Sequence, residues 1–404
     1  MERRRTPRTR GQSRLSAVID GIGASIPAVM VFLAVLTIPL SAAPTIAPSN
    51  DQLSGWIFAL YAGPGLLGVL LAFRHAQPLV LTGNVFAIIL FASEANRLGF
   101  GELAGASLVA GAAVALIGLF GVSDRLARLI PAPIVLALVA GAVLPFVVRT
   151  FTNAGQHPWV VGGAIVGYLV ARRFPGSLTP LLPALVLGVV AAAAVGELGP
   201  APALAGPMLS VTTPSLSVQA LATVTPILVV ILLLQANVPS TVFLRSQGYD
   251  PPAREIDVVS GLGTVGLSFL GPNAVSVPLP IMPLIAGPEC GTHERRFRAA
   301  VAAGVALVAI GLFAGVAVGL VRFLPISLIQ ALAGLALLGV LASSLRQFAT
   351  GPLIVGPVLA FAVVQSGLTL FGLGPFVWAL AIGVAATYVL EREGLAAVAA
   401  SHGG

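Results

Sequence analysis

The chain has 404 residues, of which 57% are hydrophobic and only 9% charged, with a formal net charge of +7. A water-soluble domain carries roughly 25% charged residues, so a soluble globular protein is excluded. The positive balance does not mark a nucleic-acid binder: six of the 21 arginines lie in the first 14 residues, and most others end apolar runs, where charge sets membrane topology.

An Arg-rich tail, residues 1–16, precedes the apolar run 17–40, which Ser41-Ala42-Ala43 follows. This resembles a secretory signal peptide, but the run is long for a signal core and is read as an uncleaved first span. About 20 apolar residues match the ~30 Å hydrocarbon layer at 1.5 Å rise per residue. Inside lipid the backbone must satisfy its own hydrogen bonds, so such runs are helices. Gly, Pro and polar clusters divide the chain into fourteen segments centred near residues 29, 63, 86, 112, 140, 164, 188, 228, 264, 280, 310, 335, 358 and 383. The expected class is an all-α membrane protein of fourteen spans. The first seven occupy residues 17–198, a linker runs over 199–216, the second seven occupy 217–391, and 392–404 form a tail.

Segments 3 and 10 are interrupted. Residues 77–84, ending in Thr82-Gly83-Asn84, precede the apolar stretch 85–92. Residues 271–278, containing Asn273 and Ser276, precede 279–286, where Pro280 and Pro283 fall. Each reads as a short extended piece followed by half a helix, because proline starts helices and disrupts their interiors. A half-helix N-terminus in a membrane has unpaired N–H groups and about half a positive charge. Two such ends favour an anion such as a carboxylate. The same polar residues also serve as helix caps. Segment 8 ends in Gln235-Ala236-Asn237-Val238-Pro239, two amides that must find a neighbouring helix or a substrate.

With the N-terminus inside and strict alternation, 18 of 21 arginines fall on the cytoplasmic side; Arg97, Arg149 and Arg322 do not. That asymmetry orients the chain in the cytoplasmic membrane with both termini inside. The chain also resembles itself at a separation of about 194 residues. Ala110-Gly111 and Ile117-Gly118-Leu119-Phe120 recur as Ala303-Gly304 and Ile310-Gly311-Leu312-Phe313; Arg128-Leu129-Ile130-Pro131 recurs as Arg322-Phe323-Leu324-Pro325. An odd number of spans per half makes the repeat inverted, the signature of alternating-access transporters with a midplane site.

No other class matches as well. Residues 63–68 and 261–266 fit G-x-G-x-x-G, but both lie in apolar segments and follow no strand, and 46 glycines make such matches common. One cysteine, Cys290, leaves no internal disulfide. No pattern calls for a cofactor or a metal. A channel or facilitator stays open, although interrupted helices in a repeat favour a carrier. Proton coupling needs an acid or histidine. Asp20, Glu94, Asp257 and Glu289 all lie near segment ends, and the histidines lie in loops or the tail. Asp20, just inside the first span, and Glu289 are the candidates.

The stretch Pro325-Ile326-Ser327-Leu328-Ile329-Gln330-Ala331-Leu332-Ala333-Gly334, together with Ser366-Gly367-Leu368-Thr369-Leu370, Leu53-Ser54-Gly55-Trp56 and Gly287-Pro288-Glu289, resembles the benzoate:proton symporter (BenE-type) family. Gly248-Tyr249 with Pro251-Pro252 is similar to that family's exit from span 8. The resemblance implies two inverted seven-span repeats, a core domain of spans 1–4 and 8–11, and a gate domain of spans 5–7 and 12–14. It implies substrate held between spans 3, 10 and 8, and Glu289 as the better match for a coupling acid. The implied function is import of a small organic anion, an aromatic carboxylate such as benzoate, by proton symport. A nucleobase or another anion carried on the same fold is the alternative. The expected binding residues are Thr82, Gly83, Asn84, Gln235, Asn237, Asn273 and Ser276. Expected partners are that small molecule, protons and lipid, with a homodimer open and no nucleic acid. Here Gly83-Asn84-Val85-Phe86-Ala87 stands where the family usually has an aromatic and then Ser/Thr-Pro-Gly, and Ala236 separates amides that are usually adjacent. These differences fall on the expected pocket.

Overall fold

The computed structural model describes residues 36–123, 130–173, 180–202, 205–286, 292–371 and 373–395. Most of the first span, Asp20 and Glu289 lie outside the described residues. In chain order the elements are α1 (Thr37–Ile46), α2 (Asn50–His75), β1 (Thr82–Gly83), α3 (Val85–Glu94), α4 (Phe100–Phe120), α5 (Ala132–Gln156), α6 (Pro158–Arg173) and α7 (Leu181–Ala194). They continue with α8 (Val218–Arg245), α9 (Ala253–Leu267), β2 (Val275–Ser276), α10 (Met282–Ala286), α11 (Phe297–Leu312), α12 (Ala314–Phe323), α13 (Ile326–Ala349), α14 (Val355–Ser366) and α15 (Pro375–Leu390).

Among the described residues, α2, α4, α5, α8 and α13 are long and apolar enough to cross a bilayer, while α3, α7, α14 and α15 are apolar but shorter. Large apolar side chains such as Leu70, Phe73, Phe120, Phe151, Trp159 and Val389 are exposed around the outside, a surface fit for lipid and not for water. This is a multi-pass membrane protein.

The run 299–321 is not one straight helix. α11 and α12 meet at a 62° bend. Glycines flank the break and let neighbours close in: a Cβ on Gly311 would stand 2.5 Å from the Cβ of Ala62, and one on Gly315 2.4 Å from the carbonyl of Gly206.

Packing partners recur between the halves. α4 packs on α9 and α2 on α11; α6 packs on α7 and α14 on α15; α5 packs on α13. The first two pairs use the same device. A Cβ on Gly65 (α2) would stand 2.8 Å from the carbonyl of Gly304 (α11), and one on Gly111 (α4) 2.7 Å from the carbonyl of Gly261 (α9). Small residues permit such backbone approach between membrane helices. Gly111 and Gly304 are the glycines of the matching Ala110-Gly111 and Ala303-Gly304 pairs in the sequence.

The linker laces helix ends together. Ser54 Oγ accepts from Met208 N at 2.9 Å, Gly101 O from Ser215 N at 2.9 Å, and Phe323 O from Gly199 N at 2.9 Å. At the opposite end of the chain Glu391 caps α14. Its carboxylate accepts from the N–H groups of Ile354, Val355 and Gly356 at 2.5, 2.8 and 2.9 Å.

Candidate functional site

β1 and β2 form a two-stranded antiparallel sheet inside the helical body, with Thr82 opposite Ser276 and Gly83 opposite Val275. Just beyond the pair, Asn84 N donates to Ala274 O at 2.7 Å. The interrupted segments 3 and 10 therefore meet where they are extended. Exposed backbone cannot survive in lipid, and the neighbouring helices satisfy this one. Thr264 Oγ1 on α9 accepts from Val275 N at 2.9 Å. Asn237 Oδ1 and Ser240 Oγ on α8 hold the N–H and carbonyl of Val277 at 3.1 Å each. Trp56 Nε1 on α2 donates to Pro272 O at 2.6 Å. Gly83 has no room for a side chain: a Cβ there would stand 2.7 Å from Leu60 O.

Each extended piece leads into a helix. Asn84 is the N-cap of α3, its Oδ1 accepting from Phe86 N at 2.9 Å and Ala87 N at 3.2 Å. Its Nδ2 points across the interruption, donating to Ser276 Oγ at 2.9 Å and Gln235 Oε1 at 3.3 Å. Asn84 thus caps and bridges together. Gln235 lies in a π-helical stretch, Ile231–Asn237, within α8. Such stretches concentrate at functional sites. Gln235 reaches the α3 cap, while Asn237, two residues on, holds the β2 side.

The structure brings together Asn84, Ser276 and Gln235, with Asn237 reaching the next residue of the same extended piece. Thr82 and Gly83 supply backbone to the pairing. Asn273 stands apart: its backbone N donates to Ser107 Oγ on α4 at 3.2 Å, while both amide atoms of its side chain are buried without a hydrogen-bond partner. A buried amide left unpaired costs roughly 1–3 kcal/mol, which a polar ligand group or a water would recover.

Two acids at segment ends are buried. Asp257, 3% exposed, accepts from Asn237 Nδ2 at 2.9 Å and from the Ser123 hydroxyl. Asn237 also donates to Ser260 Oγ at 3.2 Å. With both amide hydrogens engaged, Asn237 turns its oxygen to Val277. Glu94, also 3% exposed, ends α3 beside Arg97 at 3.6 Å.

Beside the polar cluster lies a recess walled by apolar side chains: Phe86 and Leu90 of α3, Val135, Leu138, Val139 and Ala142 of α5, Ile227, Val230 and Ile231 of α8, and Phe376 of α15. Phe86 is one of the two residues whose N–H groups Asn84 caps, and Ile231 precedes Gln235 by one helical turn. The recess is narrow in this conformation. Its space for the centre of a water molecule is about 20 Å³, enough for one water and too little for an aromatic ring.

Two interrupted helices joined through their extended pieces, against a π-distorted span and an apolar recess, define a membrane transport protein. The family model described as benzoate membrane transport protein (BenE) matches residues 11–389, and the chain belongs to that family. It is 28% identical over 385 residues to a protein named benzoate membrane transport protein from Acinetobacter baylyi, covering 94% of this chain and 96% of that one. It is 29% identical over 347 residues to the inner membrane protein YdcO of Escherichia coli, covering 85% and 88%. Among solved structures, the transmembrane domain of a cyanobacterial bicarbonate transporter, BicA, shares the fold at TM-score 0.59 and 15% identity, over 92% of this chain and 97% of that one. SLC26A9 shares it at TM-score 0.51 and 12% identity, over 96% and 72%. The family consists of transporters, so the protein is not an enzyme.

Proposed function

We propose that this protein imports a small aromatic carboxylate of the benzoate type across the cytoplasmic membrane, coupled to protons, by alternating access. The observation that carries the reading is an apolar recess that starts next to the amide cluster at the α3 N-terminus: Phe86, whose N–H Asn84 caps, lines it. Phe86, Val139, Ile231 and Phe376 offer an aryl ring a dry wall; burying it contributes about 25 cal/mol per Å² of apolar surface. Asn84, Gln235 and Ser276 offer the carboxylate polar partners at one end. A ring enters only after α3 separates from α5, which matches a site that is alternately closed and open.

The architecture we propose has fourteen spans in two inverted repeats, with both termini cytoplasmic. The recurring helix pairs, the glycine contacts and the antiparallel β1–β2 pairing support it. Spans 1–4 and 8–11 form the core, and spans 5–7 and 12–14 the gate. The recess then lies on their seam, with α3 and α8 on one side and α5 and α15 on the other. For proton coupling, Glu289 and Asp20 remain proposals from the sequence. Asp257 joins them, because it holds the orientation of Asn237 and through it the β2 segment. A nucleobase is the second reading, favoured by the number of carboxamides at the interruption. Uptake of labelled benzoate, uracil and bicarbonate into proteoliposomes, with and without a pH gradient, separates the readings. Benzoate uptake that rises with an inward proton gradient is the expected result. Uracil uptake without benzoate uptake refutes the substrate, and indifference to the gradient refutes the coupling.

A further inference from the structure

Phe86, Leu90 and Glu94 follow one another at intervals of four along α3 and so share a face. The first two line the recess, which places Glu94 at its end. The opposite wall there is the first turn of α15: Phe376 lines the recess, and two residues earlier Gly374 is the N-cap. Gly374 lies directly against the Glu94 carboxylate, since a Cβ on it would stand 2.6 Å from Oε1 and 3.3 Å from Oε2. Its φ of −75° is open to any residue, so space and not backbone conformation makes this position a glycine. Arg97, 3.6 Å from Glu94, keeps 30% of its side chain exposed where Glu94 keeps 4%. A buried carboxylate thus stands between the ends of α3 and α15 past the recess, with a part-exposed cation beside it.

We propose that Glu94 and Arg97 form the outer gate of this recess, the Glu94 carboxylate occupying the place on Arg97 that a substrate carboxylate takes on arrival. This rests on the proposed orientation, which puts Arg97 outside, and on the recess as the substrate's seat. Arginine binds carboxylates through a fixed fork of donors, so the arriving carboxylate takes the place of Glu94 on Arg97, and the displaced Glu94 is left with an unpaired charge that water outside must solvate. The exchange frees Glu94 from the seam, and α15 can then part from α3. The substrate's own charge thereby opens its path.

The test uses the full chain with Cys290→Ser and Ala142→Cys, in right-side-out vesicles, and a membrane-impermeant thiol reagent outside. Opening the gate by about 1.4 kcal/mol speeds labelling of Cys at position 142 about tenfold. That is expected for Glu94→Ala and equally for Gly374→Ala. In the latter variant the added methyl displaces only the flexible carboxylate, and the ion pair's residues are retained. Unchanged labelling in both variants overturns the gate. Arg97→Gln is expected to raise the benzoate concentration for half-maximal uptake about tenfold, with Arg97→Lys recovering part of the loss; an unchanged value in Arg97→Gln overturns the docking role. Protection of position 142 by benzoate in the parent reads the recess separately. Its absence, alongside faster labelling in the variants, refutes the recess as the substrate's seat and leaves the gate standing.

Discussion

Asn237 on α8 holds the backbone N–H of Val277, in the extended piece of the second interruption, at 3.1 Å. Its own amide is fixed by Asp257 and Ser260 on α9. Replacing Asn237 with Ala leaves a buried N–H unpaired, at a cost of about 1–3 kcal/mol. The expected result is a lower melting temperature in detergent and uptake reduced about tenfold or more. Asp257→Ala should reproduce part of the transport defect, because Asn237 is then free to turn. Unchanged melting and uptake in Asn237→Ala would remove it from the site.

Asn84 separates capping from bridging. In Asn84→Asp the carboxylate still accepts from Phe86 and Ala87, so α3 stays capped. The donor to Ser276 and Gln235 is gone, and a negative charge faces the arriving carboxylate. Stability near wild type with uptake abolished is expected. Asn84→Ala removes the cap as well and costs a further ~1 kcal/mol. Melting curves and uptake measured on both variants distinguish the two roles.

Much of this was legible in the chain. The Pro and Gly punctuation around Thr82-Gly83-Asn84 and around Asn273–Ser276 marks an extended piece before a half helix, and the shared offset links the two. The pairing partner of each strand was not legible, since two residues carry no register. Nor were the buried acids. Glu94 and Asp257 end apolar runs, where an acid normally meets water. Their burial comes from Gly374 at the start of α15 and from Gly118 and Ser123 at the end of α4, which lie far away in sequence. The recess was hidden for the same reason: Phe86, Val139, Ile231 and Phe376 are ordinary apolar residues until four helices bring them together.

Filling the recess should select against rings. Ala142→Leu adds three carbons to its α5 wall, and overpacking costs about 1–3 kcal/mol. Half-saturation for benzoate should rise about tenfold or more while acetate, if carried, is less affected. Equal effects on both would show that the ring binds elsewhere.

Glu391 predicts a pH effect outside the spans. Burial pushes its carboxyl up, but hydrogen bonds from the N–H groups of Gly356, Ile354 and Val355 outweigh this and hold it below the usual carboxylate range. A depressed value in the folded protein gives stability that is present above the unfolded value, about 4.3, and lost as pH falls through the folded one. Because the group is partly exposed, solvent screens it, and about 0.3–1 kcal/mol is expected from a charge at a helix N-terminus. Glu391→Gln should therefore melt below wild type at pH 7, and the gap should close below about pH 4. A gap that persists there would mean the charge is not what stabilises α14.

Two matched residue pairs hold the entire register of β1 against β2. Along a strand, successive side chains point to opposite faces, so a shift of one position reverses all of them. Lengthening the chain by a single residue ahead of Asn84 would turn its amide away from Ser276 and Gln235 while leaving every helix intact. Substitutions can diversify what this protein carries. Insertions and deletions between residues 79 and 84, or between 272 and 277, cannot.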